Sequence, residues 1–140
     1  MLDKLQDMAA GFNMVFGYGQ LEDLINLAQN FTGDPQPYLL WHEGYFLADW
    51  NLDGQGALEY RHRLVLDVCT PSKFADDPTA RRSHLLGLEI EAQRVFKALT
   101  KLGEASGTRV ELGLNLTPRN LDAIKITLTL LTPAVSLCRL

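Results

Sequence analysis

The sequence predicts an α+β domain: an antiparallel sheet of about four strands with helices on one face, in the order helix, strand, strand, helix, strand, strand. Three observations carry this. Residues 59–69 alternate strictly, with Tyr60, His62, Leu64, Leu66 and Val68 on one face and Glu59, Arg61, Arg63, Val65 and Asp67 on the other. Residues 77–102 hold an apolar stripe at helical spacing, made by Leu85, Leu88, Ala92, Val95, Phe96, Leu99 and Leu102. Two further alternating runs close the chain, 109–117 and 123–131, each with one apolar and one polar face, as suits an antiparallel sheet covered on one side.

Each element follows from local chemistry. In residues 1–31, Leu2, Leu5, Met8, Ala9 and Phe12 share one helical face, as do Leu21, Leu24, Ile25 and Ala28. Between them, Phe16-Gly17-Tyr18-Gly19 reads as a break, because two glycines weaken a helix. Gly33 suits a left-handed cap and Pro35 blocks continuation. Residues 38–69 read as a hairpin: an aromatic strand to Trp50, a turn with Asp53-Gly54 as the expected reversal, then the alternating strand. Asp77 is a good N-cap with Pro78 at the first helical position, and Gly103 can close the helix. Residues 109–131 read as a second hairpin. Alternation and stripe together nominate Leu64, Leu66, Val68, Leu88, Val95, Leu99, Val110, Leu112, Leu114, Ile124, Ile126 and Leu128 as the core.

Composition excludes classes. The 140 residues suit one domain over 1–140, and 46% hydrophobic against 21% charged argues against disorder. A net charge of -4 lacks the basic footprint of a duplex-binding protein, so no specific nucleic-acid binding is expected. The apolar runs are too short for a bilayer, so no membrane partner is expected. The start, Met1-Leu2-Asp3-Lys4-Leu5, has no basic patch followed by an apolar block, and no signal peptide is expected. Cys69 and Cys138 form no CxxC pair and read as buried thiols.

The sharpest local motif is Asp49-Trp50-Asn51-Leu52-Asp53-Gly54, the first half of a calcium loop. Asp49, Asn51 and Asp53 offer alternate oxygen ligands. The loop would end on Tyr60, where a bidentate Glu is required, and its flanks read as strands. The competing reading is a polar hairpin turn, and no cofactor is expected. His42, His62 and His84 lack zinc spacing, and the serines lack a nucleophile elbow. His62, on the apolar face of its strand, is expected to be half-buried and hydrogen-bonded. Arg61, Arg63, Arg81 and Arg82 are the densest basic set. Arg61 and Arg63 share a strand face that suits solvent or an acidic neighbouring subunit better than phosphate.

The layout resembles the tail-terminator and tail-completion proteins of long-tailed bacteriophages and prophages. The resemblance covers an N-terminal helix, the approach Asp34-Pro35-Gln36-Pro37, the strand 59–69 ending in a loop, the helix 77–102 and a final strand pair. Tyr60-Arg61-His62-Arg63-Leu64-Val65-Leu66-Asp67-Val68 looks like the central strand of such proteins. The resemblance implies a non-enzymatic structural protein that forms a ring, often hexameric, caps the tail tube and meets tube and head-completion proteins. It would be found in the bacterial cytoplasm during assembly and then in the virion. Rings use heterologous contacts between unlike patches. Strand edges and the loops flanking 59–69 are the expected material, with Arg61 or Arg63 facing Asp53 or Asp76 of a neighbour. The alternatives are a calcium-dependent interaction module built on Asp49-Gly54, or a small ligand-binding or enzymatic α+β domain.

Overall fold

The computed structural model describes residues 1–45, 48–72, 77–113 and 120–133. It is an α+β fold whose described elements are α1 (Leu2–Gly11), β1 (Val15–Gly19), α2 (Leu21–Ala28), β2 (Leu39–Glu43), β3 (Ala48–Leu52), β4 (Leu58–Pro71), α3 (Pro78–Leu99), β5 (Glu104–Gly113) and β6 (Leu121–Pro133). The strands form one sheet in the order β1-β2-β4-β6-β5, with β3 also paired to β4. The expected sheet of about four antiparallel strands is therefore corrected to a mixed sheet of six.

The difference arises at both ends of β2. The glycines read as a helix break form a strand: β1 runs parallel to β2, with Phe16 opposite Leu40 and Gly17 opposite Trp41. Parallel neighbours need a crossover, and α2 supplies it. Gly17 is required there, since a Cβ would come within 2.7 Å of both Leu27 and Trp41. The expected single strand from Tyr38 to Trp50 is two, β2 and β3, both antiparallel to β4 and on the same edge of it. Gly44, at φ +88°, starts the break between them.

β4 is the spine. It pairs along its length with β6, so that Leu64 faces Leu128, Leu66 faces Ile126 and Val68 faces Ile124. Those residues, with Leu40, pack against Leu5 and Ala9 of α1 and Leu88, Val95 and Leu99 of α3 in the main core. Fully burying one such side chain stabilises by about 1.5–3 kcal/mol. The opposite face is covered as well. Leu24 and Ala28 of α2 pack on Leu39, Trp41, Cys69, Leu121 and Ala123. Helices thus lie on both faces of the sheet, against the expected single face, because the β1–α2–β2 crossover carries α2 to the far side of α1 and α3.

α3 begins as its sequence dictates: the Thr79 N–H donates to Asp77 Oδ1 at 3.0 Å, with Pro78 next to the cap. It ends at Leu99, short of Leu102, where the Thr100 hydroxyl donates to the Lys97 carbonyl at 2.7 Å. α2 likewise ends at Ala28, and Gly33, left-handed at φ +82°, lies beyond the helix rather than at its cap. β5 starts earlier than expected and carries a bulge between Ser106 and Arg109, where Gly107 takes φ +62°. Of the nominated core, Val110 and Leu112 are 63% and 57% exposed, a correction explained below. Leu114 lies outside the described residues, as do Asp76 and Cys138.

Candidate functional site

At its β5 border the sheet carries large apolar side chains that stay exposed among the described residues. β5 pairs with β6 on one side, and among the described residues its other side ends the sheet. Val110 lies opposite Ile126 and Leu112 opposite Ile124, so both point to the helical face as their alternation demands. Their partners are buried because α3 lies over β4 and β6. One strand further out, ~4.8 Å away, nothing among the described residues covers Val110 and Leu112. The space between α3 and β5 is an open groove of about 530 Å³, with Leu85, Leu86, Val110 and Leu112 on its walls and Arg81, Arg82 and Glu89 along its helical rim. A smaller recess of about 180 Å³ continues it toward Phe96 and Ile126. Leu86 and Ile90 add exposed apolar surface on α3. On the other face of β5, Arg109 pairs with Glu111 at 3.2 Å. An unpaired edge beside exposed apolar side chains is a template for another chain.

The residues nominated for an acidic–basic contact with a neighbouring subunit have these surroundings within the chain. Arg61 and Arg63 are exposed on β4, on the face away from α1 and α3. Arg63 has a partner within its own chain, Asp49 on β3, at 3.4 Å. Asp53 is committed as well: its Oδ1 accepts from the N–H groups of Gln55 at 2.8 Å and Ala57 at 2.9 Å. Asp76, the other nominated acid, falls outside the described residues. The geometry brings Arg63 to Asp49 and does not bring it to Asp53.

The same contacts define the Asp49–Gly54 motif. Asp49 and Asn51 lie on β3, Asn51 donates to Glu59 Oε1 at 3.0 Å, and Asp53 organises the turn. Gly56, at φ +82°, takes the left-handed position expected at Asp53-Gly54. All three side chains make contacts within the β3–β4 hairpin, and among the described residues no three of His, Cys, Asp and Glu gather as metal ligands.

One constellation was invisible in the sequence. At the junction of β4, β6 and α3, the Ser72 hydroxyl donates to Asp122 Oδ1 at 2.7 Å, and His84 Nε2 stands 3.4 Å from Asp122 Oδ2. Asp122 sits between the serine and the histidine. In nucleophilic catalysis the histidine must contact the hydroxyl, so this order ties three elements together and does not activate Ser72. Spacings of 12 and 38 residues gave no signal. His62 is hydrogen-bonded as expected, its Nε2 3.0 Å from Thr132 Oγ1, and burial pushes its pKa below the ordinary range. Cys69 is a buried thiol, pushed well up by desolvation and by Asp67. Among the described residues, no helix is long and apolar enough to cross a membrane. Compared with protein-family models and with curated proteins, the chain matches none.

Proposed function

We propose that this chain is a non-enzymatic assembly protein of the tail-terminator or tail-completion type, working as a closed ring of identical subunits that caps a phage tail tube. The observation that supports this reading is the β5 border, with a backbone edge unpaired among the described residues and its exposed Val110 and Leu112 beside the α3 groove. The sheet's two ends also differ. β5 offers ten residues, whereas β1 at the far end offers five. Unlike edges favour a head-to-tail contact, the kind that closes rings. The tube and the head-completion proteins are the further partners of this reading, and its compartment is the bacterial cytoplasm and then the virion. The ring contact centres on β5 instead of Arg63 and Asp53, which have partners within the chain.

Light scattering over a concentration series tests it. The wild-type chain should associate into one closed species, and Leu112→Lys or Val110→Lys should hold it monomeric with an unchanged melting temperature. Arg61→Glu should leave association intact. A wild-type chain that stays monomeric at every concentration, and that does not bind tail-tube protein, would remove the support for the reading.

A further inference from the structure

The sheet face under α2 carries a group that the β5 border does not use. Asp67 lies in the C-terminal part of β4, between Trp41 of β2 and Lys125 of β6, and is 3% exposed. Among the described residues its Oδ1 has no hydrogen-bond partner. Buried carboxyl oxygens ordinarily find one, so an orphan calls for an explanation. Asp67 lines a cavity of about 180 Å³ whose apolar walls include Leu21 and Leu24 of α2 and Leu121 of β6. Glu43 of β2 and Lys125 stand at the same cavity, joined by an ion pair at 3.1 Å.

With Asp67 ionised, the charges do not balance. Two carboxyl groups share one ammonium, and that ammonium is hydrogen-bonded to Glu43. We propose that the cavity binds a small alkylammonium, its cationic nitrogen between Asp67 and Glu43 and its short chain against Leu21, Leu24 and Leu121. A hard metal ion is the poorer occupant, because it needs six or more oxygen ligands and these walls are largely apolar. The cation supplies the donor that Asp67 lacks and the charge that makes its ionised form favourable.

Binding is then linked to a proton. Burial first, and Glu43 second, push the Asp67 pKa up to about 7, with Lys125 pulling the other way. The other titratable groups nearby are Cys69 on the same strand and Glu111 of β5, which acts on Lys125, while α2 presents leucines to the cavity. An incoming ammonium displaces the proton from Asp67, so affinity rises with pH up to about 7 and levels above it.

Calorimetric titration of the full chain with n-butylammonium tests this, at pH 5.5 to 8.5 and in two buffers of different ionisation heat. The expected result is saturable one-to-one binding that tightens roughly tenfold per pH unit below pH 7, with proton release there. n-Butanol, the neutral analogue, should not bind. Asp67→Asn should abolish binding, and Lys125→Gln should tighten it by removing the competing cation. Leu21→Ala, at an exposed position that folding tolerates, should weaken it several-fold. Absence of saturable binding at millimolar butylammonium overturns the proposal, as does an affinity within twofold of wild type in Asp67→Asn. If Asp67→Asn does not fold, Leu21→Ala decides, and an unchanged affinity there is equally fatal.

Discussion

Asp67 makes stability depend on pH in a direction opposite to that of a salt-bridged carboxylate. Its folded pKa, about 7, lies above the ordinary value of 3.8. The folded state therefore holds the proton more tightly than the unfolded chain does. The stabilisation is fully present below the unfolded pKa and is lost as pH rises from about 4 to about 7, by roughly 4 kcal/mol at most. His42 and His62, both shifted down by burial, resist charging and lower stability as pH falls below the ordinary histidine range. Urea midpoints from pH 4 to 8 should separate the two: Asp67→Asn removes the loss between pH 4 and 7 and keeps the histidine-driven loss on the acid side. Identical pH profiles for the variant and the wild type would show that Asp67 ionises freely. This residue also marks where the sequence stopped being informative. Alternation placed Asp67 with Arg61 and Arg63, and both arginines are exposed as that face implies. Asp67 is buried because α2 crosses the face at its end of β4, and α2 reaches it only through β1. Gly17 was read as a helix breaker on propensity, whereas its role is to let Trp41 and Leu27 approach the backbone.

At the scale of elements, period and composition told strand from helix but not what covers a strand. Leu99 and Leu112 look alike in sequence, each on the apolar face of its element. Leu99 is fully buried in the main core, and Leu112 stands beyond the reach of α3. Leu99→Ala should cost about 2–5 kcal/mol in chemical unfolding, and Leu112→Ala well under 1 kcal/mol, a contrast that equal costs would contradict. The long elements, α3, β4 and β6, were legible because each repeats its pattern over many residues. Five-residue β1 was not, since a parallel strand with two glycines offers almost no period to read. The β3–β4 turn was legible as a turn, although Gly56 and not Gly54 takes the left-handed conformation. Its Asp53 accepts from two backbone N–H groups of the loop, an arrangement that is expected to hold the turn without calcium. Titrating calcium into the chelated protein should leave the melting temperature unchanged, and a rise at micromolar calcium would revive the interaction-module reading.

For the whole molecule, the layers explain which surface is left for other work. α1 and α3 cover the middle of one face, α2 covers part of the other, and β5 extends past both. The sequence conveyed the α+β class and the part of the main core built by β4, α3 and β6, but the exposed border emerges only once α3 is seen to stop short of it. Another consequence lies along β4. Its C-terminal part, opposite β2, is sandwiched between helices, whereas its N-terminal part, opposite β3, holds exposed arginines on one side. A single continuous strand thus has one end clamped between helices and another held by its strand neighbours β3 and β6, like a beam fixed in a wall. Backbone amides of Leu66 to Cys69 should exchange with deuterium only when the whole chain unfolds. Those of Glu59 to Arg61 should exchange orders of magnitude faster through local fraying, a gradient that hydrogen exchange can read residue by residue. Such a gradient would make the β3 end of β4 the part that opens first when the molecule is loaded.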